Sequence, residues 1–277
     1  MKTVLITGSN GYIGSHLVKH LRGQYNILGL DTDTDRNSLE NFLQIDIKNI
    51  KHVNIHVDCV VHLAALVKVN ESVSNPISYY LTNTLGSINV LQKIKFNNFI
   101  FASTGSAEYC NNPYGISKRA AEDCVINYCE LYKKNYTVFR FYNVIGSSGF
   151  APTNPDGLFY NLINATRTGK FTIFGDDYNT IDGTAERDYV HVDEICEAIK
   201  IAIENPANGL ENLGHGQGFS VKQITTIFQN VNKTKFAVNY GPRRVGDLER
   251  SILSNPSVYL PNLYNIEELL TVPQTLL

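Results

Sequence analysis

Short, almost wholly apolar runs alternate with stretches of helical periodicity through the first half of the chain. KTVLITG, YNILGLD, FLQIDI, CVVHLAAL and NFIFAST are the apolar runs. Helices are expected from Tyr12 to about Arg22, through Leu91, and from Tyr114 to Tyr132, followed by the strand YTVFRFYN. Strands apolar on both faces belong inside a sheet covered by helices on each side, so the rhythm predicts βαβ units and an α/β, doubly wound, Rossmann-like parallel sheet.

After Gly146 the pattern loosens into the turn-rich GSSGFAPTNPDG, and the elements shorten: helix Leu158 to Thr168, strand FTIFG, helix Val192 to Glu204 and helix Val221 to Val231. The break predicts a dinucleotide-binding domain over residues 1–145 and a smaller α/β substrate lobe over 146–277, some elements of which return to the first domain. A cleft is expected at the carboxyl ends of the strands, where doubly wound sheets take their ligands.

Composition narrows the ligand class. The 277 residues carry a formal net charge of -2 with both signs dispersed, which gives no reason to expect nucleic acid or an anionic membrane as partner. A small molecule is the expected ligand. The start, MKTVLITGSNG, reaches glycine too early for a secretory apolar core, and no run is long enough to span a bilayer, so the chain is read as cytoplasmic. Its five cysteines show no CxxC spacing, and no metal site is expected.

TGSNGYIG follows the first strand, with Gly8, Gly11 and Gly14 in a GxxGxxG spacing. Glycines there allow a tight turn and close approach of a pyrophosphate to the amino end of the next helix, with Asn10, Tyr12 and Ile13 filling the loop between them. Asp31 ends the second strand, where a carboxylate can accept hydrogen bonds from the adenosine ribose; with no basic residue immediately after it, NAD is favoured over NADP. The alternative for Asp31 is a solvated turn residue in DTDTD.

Tyr114 and Lys118 stand four apart in YGISK, on one face of the expected helix, after a strand that ends in Ser103 and Thr104. An ammonium beside a phenol, together with an oxidised nicotinamide, favours tyrosinate and is expected to lower the tyrosine pKa, making Tyr114 a base for a sugar hydroxyl. Thr104 is the expected hydrogen-bond partner of the reacting oxygen; Ser106 is the alternative, because STGSAEY holds one residue more than the usual pattern.

These motifs, with Asp46-Ile47, HLAA from His62 to Ala65, and Asn83, resemble in type and order the extended short-chain dehydrogenases over nearly the whole chain. The stretch FGDDYNTIDGTAERDYVHVDE, Phe174 to Glu194, resembles the corresponding segment of UDP-galactose 4-epimerases. The resemblance implies that Asp46 and Ile47 flank the adenine, that Leu63, Ala64 and Ala65 line the cofactor, that Asn83 touches it and that Tyr142 packs near the nicotinamide. For a UDP-hexose it implies contacts from Asn143 and Ser251 to the sugar side, from Thr172, Ile173 and Phe174 to the uracil, and from Arg187, Arg244 and Asp247 to phosphates and ribose. It also implies a homodimer. Guanidinium groups suit diphosphate oxygens and an aromatic ring suits a planar base.

The chain departs from that family in three places. Tyr109 to Pro113 run straight into Tyr114 without the usual excursion, Val67 stands where a lysine is common with Lys68 one place later, and Asp156-Gly157 replaces an asparagine pair. Sister sugar-nucleotide enzymes are the rival reading. Gly105 and Ser106 lack the Asp-Glu pair of a dehydratase, whereas Glu108 is compatible with a decarboxylase. A catalytically silent NAD-binding module is the rival from another class.

Overall fold

The computed structural model describes residues 1–50, 55–244 and 246–277. Contacts divide the chain into two units, Met1–Phe141 with Cys196–Glu211, and Tyr142–Ile195 with Asn212–Leu277.

The first unit is built from β1 (Thr3–Thr7), α1 (Tyr12–Leu21), β2 (Asn26–Asp31), β3 (Asn41–Gln44), β4 (His56–His62), α2 (Val69–Ser74), α3 (Pro76–Tyr79), α4 (Gly86–Lys93), β5 (Lys95–Thr104), α5 (Ser106–Tyr109), α6 (Pro113–Leu131) and β6 (Asn135–Phe141). Its strands are ordered β3, β2, β1, β4, β5, β6, with every pairing among them parallel. The order reverses direction between β1 and β4, the switch point of a doubly wound sheet. Val4, Leu5, Ile6, Val60, Val61, Phe99 and Phe101 are at most 1% exposed, which is why these strands read as continuous apolar runs.

The helix expected to run unbroken through Leu91 is instead assembled from α2, α3, a π-helical stretch Tyr80–Leu85, and α4. Asn75 and Pro76 end the first piece, because the residue before a proline is pushed out of helical geometry. α6 has a sharp start: the Asn112 side chain accepts from the Gly115 N–H at 2.8 Å and Pro113 occupies the first turn, where its missing N–H costs nothing. That local code sets the rotation of the helix bearing Tyr114 and Lys118.

The second unit holds β7 (Asn143–Ile145), α7 (Leu158–Thr168), β8 (Lys170–Phe174), β9 (Glu186–His191), the start of α8 (Val192–Glu204), β11 (Gly218–Ser220), α9 (Val221–Val231), β12 (Ala237–Gly241), β13 (Arg250–Ser251) and α10 (Ile266–Leu270); β10 (Gly209–Leu213) joins the large sheet beside β6. β9 is the hub, paired with β7, β11 and β13, while β8 pairs with β12. Phe159, Leu162, Ile173, Tyr189, Ile224 and Phe228 form a separate apolar core. Among the described residues no helix is long and apolar enough to cross a membrane.

Candidate active site

In the first unit the glycine turn and Asp31 form one assembly. Gly8 has φ +73° and its N–H donates to the Leu30 carbonyl at 2.7 Å; a Cβ there would lie 2.8 Å from the Ala64 nitrogen. A Cβ on Gly14 would fall 2.1 Å from the Gly8 carbonyl oxygen. Only a chain without side chains at these points fits the turn and leaves the amino end of α1 open toward an anion. The Asp31 carboxylate accepts from the Asn10 N–H at 2.9 Å and from the Thr32 N–H at 2.8 Å, so it is held against the turn rather than loose in solvent. Asn10 itself is structural: its amide donates to the Thr34 carbonyl and accepts from the Arg36 N–H. Tyr12 and Ile13 open α1, with the Tyr12 ring against His16. Arg36, the first basic residue after Asp31, is paired with Asp33 at 2.7 Å.

Tyr114 and Lys118 lie on α6 beside the end of β5. The Thr104 side chain lies near enough to the Tyr114 hydroxyl to favour its phenolate, and the Thr104 oxygen accepts the Ser106 N–H at 3.2 Å. Of the two hydroxyls considered, only that of Thr104 bears on the titration of Tyr114. Ser106 begins α5, and a Cβ on Gly115 would lie 2.5 Å from its carbonyl oxygen, so the glycine of YGISK is demanded by helix packing. Lys118 is 3% exposed and its ammonium sits 4.1 Å from the centre of the Phe101 ring. Burial pulls its pKa down to about 7, with Glu122 drawing it back up.

The Lys118 ammonium alone does not lower the Tyr114 pKa. Burial pushes it up to about 12, and the neighbouring Thr104 side chain offsets this only in part. Adjacency to Lys118 on the helix does not overcome desolvation of the phenolate.

Beneath this pair lies a network that sequence reasoning missed. Glu122, fully buried, accepts from Arg140 Nε at 2.9 Å, from Arg140 Nη2 at 2.6 Å and from Ser103 Oγ at 2.5 Å. The available signal was spacing: Glu122 stands one further turn along the face that carries Tyr114 and Lys118.

The side chains of two further expected cofactor segments are engaged within the first unit. Asn83 is fully buried; its amide donates to the Leu66 carbonyl and to Ser117 Oγ and accepts the Leu66 N–H, so both hydrogens are committed within the protein and it shapes the loop after β4. Ile47 is 3% exposed and packs on Gly86, while Asp46 caps its own short turn through the Lys48 N–H. Leu63, Ala64 and Ala65 follow β4 directly and are half-buried, with the Leu63 N–H on the Thr7 carbonyl.

In the second unit, strand register brings several of the remaining residues together. Ser251 on β13 is the register partner of Arg187 on β9. Arg187 Nη1 donates to the carbonyls of Glu186 and Glu249. Asn143 donates to the Asp188 carbonyl at 3.0 Å. Arg244 stacks over Phe174 at 4.1 Å and reaches the Asp156 carbonyl at 3.1 Å, so the Asp156-Gly157 departure supplies a main-chain anchor for that arginine. Thr172 and Phe174 are half-buried on β8, whereas Ile173 points into the core at 1% exposure, and any contact it makes falls to its main chain. Asp247 is exposed, its N–H on the Arg244 carbonyl. Tyr142 is nearly buried, its N–H donating to Leu213.

The chain matches the model of the NAD dependent epimerase/dehydratase family over residues 4–214. It is 32% identical to a UDP-glucose 4-epimerase of Pasteurella multocida, across 92% of this chain and 90% of that one. Two solved structures are similar throughout. The UDP-glucose 4-epimerase of Brucella ovis in complex with NAD has a TM-score of 0.85 at 25% identity, covering 98% of this chain and 96% of that one. The UDP-N-acetylglucosamine 4-epimerase of Methanobrevibacter ruminantium in complex with UDP-N-acetylmuramic acid has a TM-score of 0.84 at 25% identity, covering 97% and 96%.

The chain belongs to the NAD dependent epimerase/dehydratase family.

NAD is the cofactor of this family, and the first unit fits it on structural grounds. The turn is closed to any Cβ at Gly8 and Gly14, and a carboxylate stands at its edge with lone pairs left for ribose hydroxyls. Among the described residues no cluster of potential metal ligands occurs.

Proposed function

We propose that the chain is an NAD-dependent UDP-hexose 4-epimerase, an isomerase, with Tyr114, Lys118 and Thr104 as its catalytic residues. The observation that carries the reading is a buried Lys118 one turn along α6 from Tyr114, with Thr104 at the end of the neighbouring strand β5.

NAD, when bound, supplies the hydride acceptor and donor that turns a sugar 4-alcohol into a 4-ketone and back. The protein's part is acid-base and positional. Tyr114 Oη takes the 4-hydroxyl proton and later returns it, and Thr104 Oγ1 orients the reacting oxygen. Lys118 lends positive charge to the phenolate; with the phenol pushed to about 12 in the protein alone, the cationic nicotinamide must contribute the rest of the shift. Gly8, Gly11, Gly14 and Asp31 hold pyrophosphate and ribose, and Leu63 to Ala65 form an apolar wall. Arg187, Arg244, Phe174, Thr172, Asn143 and Asp247 grip the uridine diphosphate, leaving the sugar loosely held so that it can present either face.

Ser251 is a small, half-buried residue in register with Arg187, which leaves room for an acetamido group, and one similar structure is that of a UDP-N-acetylglucosamine 4-epimerase. The reading therefore includes UDP-N-acetylhexosamines. Ile77, Leu81 and Leu85 recur every four residues and are 64%, 45% and 43% exposed, an apolar stripe that supports a homodimer. All five cysteines remain thiols, in keeping with the cytoplasm.

Incubation of the purified protein with NAD and UDP-galactose tests the reading. UDP-glucose should accumulate to an equilibrium mixture without net consumption of NAD; a protein that binds both ligands and forms none would overturn it.

A further inference from the structure

The hydrogen bonds around His62 have a direction that can be traced atom by atom. His62 ends β4 at 1% exposure, with Nδ1 2.6 Å from Thr7 Oγ1 and Nε2 2.9 Å from Ser87 Oγ. The single hydroxyl hydrogen of Ser87 goes to the Asn83 carbonyl at 2.6 Å, so Ser87 accepts from the imidazole and Nε2 carries the ring proton. Nδ1 then accepts from the Thr7 hydroxyl, whose oxygen in turn receives the Ala64 N–H at 3.3 Å.

Both ends of this chain belong to the site. Thr7 directly precedes Gly8, and Ala64 lies in the segment that flanks the turn. Asn83 holds Leu66 and Ser117, and Ser117 Oγ donates to the carbonyl of Tyr114 at 2.8 Å. The His62 ring also lies 5.7 Å from that of Phe101, the ring that carries the Lys118 ammonium.

We propose that His62 is a positioning residue: a neutral imidazole, held as the Nε2–H tautomer, that ties the glycine turn and the segment from Leu63 to Leu66 to the helix bearing Tyr114 and Lys118. The proposal rests on the reading of this unit as the NAD-binding, catalytic one. The surroundings keep the ring neutral. Burial first, then the charge of Lys118, hold its pKa down to about 3. β1 and α4 present Thr7 and Ser87, β5 presents Phe99 and Phe101, and α6 brings Lys118 as the charged group. A protonated ring would have to reverse the Thr7 hydroxyl and set a second cation beside Phe101.

Two measurements on the NAD-loaded, full-length protein test this. Nitrogen NMR of histidine-labelled protein, with the signal assigned by its loss in His62→Gln, should show the Nε2–H tautomer unchanged from pH 8 to pH 5. This readout needs no epimerase activity, so it stands apart from the functional reading. Ser87→Ala, which removes the acceptor, should weaken NAD binding and lower kcat about tenfold each, as expected for one buried donor left without a partner, with UDP affinity unchanged. Ser87→Thr, which keeps the hydroxyl, should restore both. An Nδ1–H tautomer, a titration near pH 6.5, or Ser87→Ala with wild-type kcat and NAD affinity and only a lowered Tm would each overturn the proposal.

Discussion

The candidate site residues of the two units are held in different ways. In the first, the chemistry is carried by side chains on regular elements and braced from below: Lys118 is 3% exposed, Thr104 ends a ten-residue strand, and Glu122 is fully buried on Arg140. In the second, the two candidate nucleotide arginines reach main-chain carbonyls, Arg187 that of Glu186 and Arg244 that of Asp156. Proton transfer demands heavy-atom placement within a few tenths of an ångström, which burial and side-chain networks provide. Binding a diphosphate through guanidinium groups tolerates looser support, because charge and multiple donors compensate for imperfect geometry.

The sharpest way to break this contrast is Tyr114→Phe. Loss of the proton carrier should reduce epimerisation by about a thousandfold or more, within the range of general acid-base contributions, while NAD affinity stays within about twofold. A direct assay of UDP-glucose formation beside an NAD titration checks both, and near wild-type turnover would remove Tyr114 from its role. Next in size is Glu122→Leu, which leaves the Arg140 guanidinium buried without its carboxylate. About 3 kcal/mol of stability should be lost in urea unfolding, and Glu122→Leu combined with Arg140→Met should recover much of it. A loss below about 1 kcal/mol would mean that the brace is ornamental.

On the side of the second unit, Arg244→Met should act on binding rather than chemistry. KM for the UDP-sugar should rise roughly tenfold with kcat little changed, as expected when one charged hydrogen-bonding group is removed from a site bound equally in ground and transition states. An equal fall in kcat would show that the division between the units is false.

The remaining effect is a pH dependence. The pKa of Lys118 is about 7 in the folded protein against 10.5 for the free side chain. Between those values the unfolded chain binds more protons, so this residue makes stability rise with pH from about 7 toward 10.5, and its cost is fully present below 7. The stability gained by Lys118→Met should therefore be largest near pH 6 and shrink as pH rises to 9. A gain independent of pH would place the ammonium in water.

Much of the fold was legible because its signals are local. The apolar runs, the glycine turn, and the helices Leu158–Thr168 and Val221–Val231 are written in neighbouring residues, through side-chain period and capping. β13 and α10 escaped notice because two-residue and five-residue elements carry too little periodicity to stand out. The helix read as continuous before Leu91 shows the limit of periodicity: one apolar face persists across a break at Asn75-Pro76 and a π-helical turn.

The sequence by itself determined the class of fold, the dinucleotide turn and the Tyr114 and Lys118 spacing, since each depends on groups within a few positions of one another. Tertiary structure alone decided that Asn83 spends its amide within the protein, that Ser251 lies in register with Arg187, and that burial raises the tyrosine pKa. Such outcomes join residues far apart in the chain, as Thr7 meets His62 across 55 positions. They depend on which strands become neighbours and how far water is excluded, and neither is encoded in any short window of residues.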